Sequence, residues 1–425
     1  MLLSNQSANP QSPARSTRAG CWSQGCRLLL VHVLILAGLL VVWFAVSALG
    51  RDEETTPPPA TPVTETVFLE ERTLAPGEYR ATFRLALAGS PQDFRQQLLS
   101  RGAAQITIEA TDKVFVPAQV LSRESFPYDG SFHDFSAYFY VGESTPNVAF
   151  EVAQLGDVEL QIEHFGLAAI DQSPTRILLV AGRGADNTGW RAFVERGSSN
   201  YGLVDGGQRF VAYMVETLPC GSLADRTRIL ADYINGLHVP DGSLKAIGHS
   251  AGGLDLRLLV GLAHENKEPY LSAARKLRKV YTVGTPHEGT ALSTWAQSIL
   301  ARPLQGFLCI GEPLVDDTTP EAMAEFNEAY PWDDFEIDGR RVPFLAFSFQ
   351  ATCLPWWADP FGIIGRNGDG AVSVTSQQWG ESDNAPPDLP WVAAHAPPLD
   401  LGDCIAERSF MDVLNWVLSD PVLAP

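Results

Sequence analysis

Positive charge is scarce in this chain: 30 Lys and Arg stand against 50 Asp and Glu in 425 residues, a formal net charge of −20. Three of the arginines, Arg15, Arg18 and Arg27, lie before residue 51 in a stretch without a single acid, so the remainder is more acidic still. Such a body repels phosphate backbones, and no basic stripe interleaved with aromatics is present, which excludes a nucleic-acid partner. Charged residues make up only 19% and hydrophobic residues 45%, so wholesale disorder is excluded as well. Cysteine is rare: there are six, with no CxxC and no Cys/His cluster, which leaves no zinc site to read. No internal repeat is visible, and 30 prolines with 36 glycines exclude a coiled coil or helical-repeat rod. At roughly 100–200 residues per domain, two or three folded units are expected.

What the chain does contain, first of all, is a long apolar run. From Leu28 to Gly50 it reads LLLVHVLILAGLLVVWFAVSALG, with no formal charge and one imidazole, His32. At about 1.5 Å per residue the run spans about 34 Å, enough to cross a hydrocarbon core of roughly 30 Å. The nearby positive charge precedes it, while Arg51 is followed at once by Asp52, Glu53 and Glu54. The positive-inside bias therefore predicts a cytoplasmic tail (1–27), a signal anchor (28–50) and an extracytoplasmic remainder, periplasmic or extracellular. A cleaved signal peptide ending at Val46-Ser47-Ala48 is the rival reading, against which stand the long leading segment and the length of the apolar run. Either way the bulk of the chain is exported, where disulfides are permitted. Cys21 and Cys26 fall on the cytoplasmic side, and Cys220, Cys309, Cys353 and Cys404 allow three connectivities.

A Pro/Thr-rich linker follows (51–63), stiffened by TTPPPATP. Over 64–172 the segments EYRATFRLAL, AQITIEA, SAYFYVGE, NVAFEVAQ and VELQIEHFGL alternate apolar and polar residues between Gly, Pro, Asn or Asp breaks. That pattern predicts a small antiparallel, jelly-roll-like β-sandwich. From 173 to 425 the pattern changes. Short apolar runs (RILLVAG, RFVAYMVET, LKAIGHS, KVYTVGTP, VPFLAFSFQ) alternate with the helix-like TRILADYINGL and LDLRLLVGLAHE. Repeated strand–helix units argue for a mostly parallel sheet covered on both faces, with its chemistry at the carboxyl ends of the strands.

The central motif lies there: Gly248-His249-Ser250-Ala251-Gly252, directly after LKAI and before LDLRLLV. G-x-S-x-G alone is weak, but a strand-to-helix elbow needs glycine on both sides of the serine, and it presents the hydroxyl at a helix N-terminus. Serine at its ordinary pKa needs a base held by an acid, in the chain order Ser, acid, His. Of eight histidines, His287 and His395 follow the elbow at a distance, and His264 lies in the helix after it. His287, in GTPHEG directly after a strand, leaves no room for an acid strand and reads as a structural hydrogen-bonder. His395 in the loop VAAHAPPLDLGD is the candidate base, and Asp369 in RNGDGAVS the candidate acid, with Asp359, Asp383 and Asp388 as fallbacks. An oxyanion needs two placed N–H donors. Ala251 and, in the loop after the first strand of the unit, Arg183 are the candidates.

Four stretches of this region, over roughly Thr175–Leu401, together resemble the bacterial triacylglycerol lipases of the α/β-hydrolase superfamily. GHSAGG is similar to their elbow and KVYTVGTPHEGT to the strand and turn that follow. TTPEAMAEFNEAYP resembles their lid-side helix, and NGDGAVSVTSQ with the distal His395 resembles their acid loop and base. The resemblance implies an α/β-hydrolase fold and an acyl-ester hydrolase with Ser250, Asp369 and His395 as triad and Arg183 and Ala251 as oxyanion donors. The chain departs from the family in three places. Ala181-Gly182 replaces the usual His-Gly, about a dozen extra residues intervene around Glu265–Lys276, and Pro397 stands where relatives place a calcium-ligating Asp, with Asp400 and Asp403 the nearest acids. No cofactor is therefore expected, a structural calcium being the one alternative left open.

The expectation is a lipase or esterase acting on lipid or other acyl esters, tethered to the membrane by its N-terminal helix. Phospholipase, polyester depolymerase and thioesterase activities on the same fold remain open, as does a tethered, non-catalytic binding protein. The segment 295–331, with Leu300, Leu304, Phe307, Leu308 and Ile310, is either an apolar lid or packed core. VAFEVAQLGDVELQIEHFGL resembles the closing hairpin of jelly-roll carbohydrate-binding modules, which leaves a carbohydrate ligand, a spacer and a lid support as open roles for the β-domain.

Overall fold

The computed structural model describes residues 64–88, 103–111, 113–121, 126, 129–155, 159–171, 173–182, 210–215, 217–297, 312–331, 335–348, 372–378 and 406–420. The expected tail, anchor and linker (1–63) lie outside these residues. Among the described residues no helix is long and apolar enough to cross a membrane. Residues 63–425 form one compact unit.

Seven strands come first: β1 (Thr64–Leu74), β2 (Gly77–Leu87), β3 (Ala104–Ala110), β4 (Lys113–Leu121), β5 (His133–Val141), β6 (Thr145–Leu155) and β7 (Leu160–Ala169). They form two antiparallel sheets, ordered β1-β6-β3-β4 and β5-β2-β7. Alternate residues of both sheets meet in one core, with Phe83, Leu85, Phe135 and Phe139 facing Ile106, Ile108, Phe150 and Val152. The hairpin expected from β6 and β7 is not formed. β6 pairs with β1 and β3, whereas β7 pairs with β2, so the short connection crosses between the sheets. Both strands still aim their apolar residues at the shared core, but from opposite sides.

A parallel sheet follows, built from β8 (Thr175–Val180), β9 (Phe210–Val215), β10 (Leu244–His249), β11 (Leu277–Val283) and β14 (Phe344–Phe347), in the order β14-β11-β10-β8-β9. A short hairpin, β12 (Glu336–Ile337) with β13 (Arg340–Arg341), precedes its last strand. Because successive side chains point to opposite faces, Leu178 and Val180 pack on one face and Ile177 and Leu179 on the other. The first face is covered by α1 (Leu223–Gly236), α2 (Ala251–His264) and α3 (Tyr270–Lys276), through Leu230, Ile234, Leu256, Leu259 and Ala274. The second carries the last helix, which places Val413, Leu414, Val417 and Leu418 on the sheet. Burying each such Leu or Val contributes on the order of 1.5–3 kcal/mol. Short helices complete the described unit: α4 (Ala291–Ala296), α5 (Pro313–Asp317), α6 (Pro320–Ala329), α7 (Val374–Gln377) and the last helix, α8 (Ala406–Ser419). The stretch Glu265–Lys276 after the elbow helix forms a turn followed by α3.

The sandwich meets the α/β unit at the amino ends of its strands. Arg176, at the start of β8, donates to both carboxylate oxygens of Glu78, which also accepts from Ser173 Oγ (3.1 Å), and Phe115 stacks obliquely on His238 ahead of β10. A strand of six residues is about 20 Å long, so these contacts lie at the far end of β10 from Ser250. Cys220 is disulfide-bonded; Cys309, Cys353 and Cys404 lie outside the described residues.

Candidate active site

The chain order across the parallel sheet fixes where a site can form. β8 is followed on one side by β9 and on the other by β10, so the connections from these two neighbours diverge and leave a crevice at their carboxyl ends. The residues that border this crevice are Ala181-Gly182 after β8 and Ser250 after β10.

Ser250 takes φ 53° and ψ −129°, between the last residue of β10 and the first of α2. For a residue with a Cβ such a backbone costs about 1–3 kcal/mol and persists only where its surroundings impose it. Here the Ser250 N–H donates to Val283 O of the next strand (2.9 Å), and the Gly253 N–H donates to Ser250 O (3.1 Å). The glycines make the turn possible. A Cβ on Gly248 would lie 2.6 Å from Gly252 O and Gly253 N, and one on Gly252 would lie 2.5 Å from Val180 O. Gly253, the last residue of GHSAGG, is tighter still: its Cβ would lie 2.1 Å from Thr285 Oγ1. Gly182 closes the other side, where a Cβ would fall 2.6 Å from Ser250 Cβ and 3.2 Å from Ser250 Oγ. The backbone leaving β8 therefore runs directly against the serine.

Ala251, 3% exposed, opens α2. The first N–H groups of a helix have no intrahelical partner and carry the positive end of its dipole, so a developing negative charge beside Ser250 is favoured there. Arg183, Asp369 and His395, as well as Asp359, Asp383 and Asp388, lie outside the described residues. The stretch that follows Asp369 is described in part. Ser376 Oγ accepts from the Glu288 N–H (3.1 Å) and donates to Gly289 O (2.6 Å), which docks α7 on the turn leaving β11. The apolar residues of the expected lid, Leu300 to Ile310, also lie outside, but α6 beyond them is firmly held. Arg257 of α2 donates to Asn327 Oδ1 (2.6 Å), and its guanidinium lies over the Phe326 ring.

His287 is fully buried, with Nε2 3.0 Å from Thr282 Oγ1 and its carbonyl accepting from Asn327 Nδ2 (3.0 Å). Burial, with the Arg257 guanidinium adding to it, holds the imidazole well below its usual range, so the folded chain keeps it neutral. The unfolded chain protonates it near pH 6.5. Below that pH the unfolded state binds more protons, so this group costs stability at about 1.4 kcal/mol per pH unit as the pH falls. Denaturant titrations of the His287→Gln protein are expected to show a shallower loss of stability between about pH 6.5 and 5. Parallel slopes for the two proteins would contradict this.

A buried ion pair escaped the sequence reading. Arg226 of α1 and Asp255 of α2 are both fully buried and paired, with Nη2 2.7 Å from Asp255 Oδ2. Burial pushes the Asp255 carboxyl up, to about 6, against the pull of the Arg226 guanidinium. The signal was present: Arg226 falls on the helical stripe of Leu230 and Ile234, and Asp255 lies between Leu254 and Leu256 in the buried run after the elbow. A charge at such positions demands a partner. Among the described residues, no group of three or more His, Cys, Asp or Glu is placed to hold a metal ion.

No family model and no curated protein matches the sequence. Solved structures do show similarity. The mature lipase BlEst2 of Bacillus licheniformis is 18% identical over 58% of this chain and 90% of that one, with a TM-score of 0.42. A metagenomic carboxyl esterase, MGS0156, is 14% identical over 58% of this chain and 76% of that one, with a TM-score of 0.38. Phospholipase PlaB from Legionella pneumophila is 18% identical over 48% of this chain and 46% of that one, with a TM-score of 0.34. Likenesses at this level add no weight to the geometry of the sheet and elbow themselves.

Proposed function

We propose that this chain is an exported serine hydrolase that cleaves carboxylic esters of the acyl-glycerol type through an acyl-enzyme. The observation that carries this reading is Ser250 in a strained strand-to-helix turn at the crevice of a parallel sheet, with Gly182 against it. Strain of that kind is retained where a side chain must be presented for chemistry. In the proposed reaction His395 takes the Ser250 proton as the hydroxyl attacks the ester carbonyl, and Asp369 orients the imidazole. The N–H groups of Ala251 and Arg183 hold the oxyanion, His395 protonates the leaving alcohol, and water then releases the acid. No step calls for a metal or cofactor. The roles of His395, Asp369 and Arg183 rest on their place in the sequence.

The same reading places the chain as a single-pass membrane protein held by residues 28–50, with its catalytic domain outside the cytoplasm. Disulfide-bonded Cys220 fits such a compartment. The test is hydrolysis of p-nitrophenyl esters from acetate to palmitate by the full-length chain in detergent micelles. A rate that rises towards long acyl chains is expected. Activity confined to acetate and butyrate would remove the acyl-glycerol assignment and leave an esterase. No activity at any length would remove ester hydrolysis altogether.

A further inference from the structure

We propose that Arg226 is a positioning residue for the oxyanion side of the site: its guanidinium locks the carbonyl of Ala181 to the helix that carries Ser250. The inference rests on the serine-hydrolase reading above. Arg226 Nε lies 3.1 Å from each carboxylate oxygen of Asp255 and Nη2 2.7 Å from Oδ2, a forked pairing between α1 and α2. Nη2 also donates to Ala181 O (3.1 Å), and Nη1 donates to Leu218 O (2.6 Å) in the segment after β9. One side chain thus joins the ends of two strands to the elbow helix.

A pair buried for stability alone does not need Ala181. Buried ion pairs are often no better than well-packed apolar side chains, and here a donor is committed to the carbonyl that immediately precedes Gly182. The peptide between Ala181 and Gly182 is planar, so holding its oxygen sets the direction of the Gly182 N–H at the start of the proposed oxyanion loop. On its other side, Ala181 O lies where a Cβ on Gly252 would come within 2.8 Å. The start of the proposed oxyanion loop is therefore clamped between α2 and a guanidinium that α2 itself holds through Asp255. Misplacement by about 1 Å costs on the order of 100-fold in rate, so a rigid link between donor loop and nucleophile has direct value for the reaction.

The experiment compares the full-length wild type with Arg226→Lys and Arg226→Met, counting working sites by p-nitrophenol release from a p-nitrophenyl phosphonate. Lysine keeps a cation for Asp255 but lacks the fork that reaches Ala181 O at the same time. Turnover per titrated site on p-nitrophenyl butyrate is expected to fall about 10- to 100-fold in both variants, with KM changed less than about twofold. The second readout is the preference for an oxo-ester over its thiono analogue. Sulfur is a weak acceptor, so placed donors favour the oxo-ester, and that preference is expected to shrink in the variants. Turnover per site equal to wild type, or a fall with the preference intact, would overturn the proposal and leave the pair a packing device. A wild type that the phosphonate does not label fails differently, because the serine-hydrolase reading then falls first.

Discussion

Ser250→Ala is expected to lower ester hydrolysis by about 10⁴-fold or more while leaving the fold intact. The residue is 9% exposed, its side chain takes no part in capping α2, and its N–H and carbonyl keep their partners Val283 and Gly253 whatever the side chain. Thermal unfolding of the alanine protein should match that of the wild type, so lost activity reports lost chemistry. Ser250→Gly separates strain from chemistry. Glycine adopts φ 53° without the steric cost that a Cβ carries, so this variant is expected to be inactive yet more stable by about 1 kcal/mol. A glycine variant less stable than the alanine one would show that the turn stores no strain.

The second large effect is expected at the elbow glycines. Gly253→Ala places a methyl 2.1 Å from Thr285 Oγ1, with Thr285 Cγ2 and Cβ at 2.8 and 2.9 Å, and Thr285 is fully buried. Gly248→Ala meets backbone of α2, which no rotamer change relieves. Overpacking of this kind typically costs 1–3 kcal/mol, and it is relieved here only by prying α2 away from β10 and β11. Each variant is expected to lose most of its activity and to unfold at lower denaturant. Gly236→Ala, at the end of α1 with nothing within 4 Å of its Cβ, supplies the control and is expected to be neutral or slightly stabilised. Wild-type activity in Gly253→Ala would mean that the elbow is looser than its contacts imply.

Much of this architecture could be read from local patterns, and the exceptions have physical causes. Alternation exposed β2, β3, β5, β6 and β7, but not β1 and β4, which are the two edges of the four-stranded sheet. An edge strand needs no strict alternation and tolerates proline. β1 carries Glu70, Glu71 and Arg72 in succession, and β4 carries Pro117 in its interior. The mistaken hairpin has a similar origin, since alternation tells which residues face a core and not which sheet a strand joins. At the site, Ser250 and its glycines were legible because an elbow is a local object set by a few φ angles and close approaches. The Arg226–Asp255 pair was not, because it joins residues 29 apart on two helices. Only the presence of charge on an apolar stripe announced it. Arg183, Asp369 and His395 lie outside the described residues, and the sequence names them by order and neighbourhood, without the periodicity that locates a side chain.

The central claim is that Ser250 forms the covalent intermediate, and the most direct measurement is a map of where a long-chain alkyl fluorophosphonate attaches. The full-length chain, labelled, digested and analysed by mass spectrometry, should carry one adduct per molecule, on the peptide that contains Ser250, and the Ser250→Ala protein should carry none. An adduct on another residue, or no adduct on a folded chain, would contradict the account.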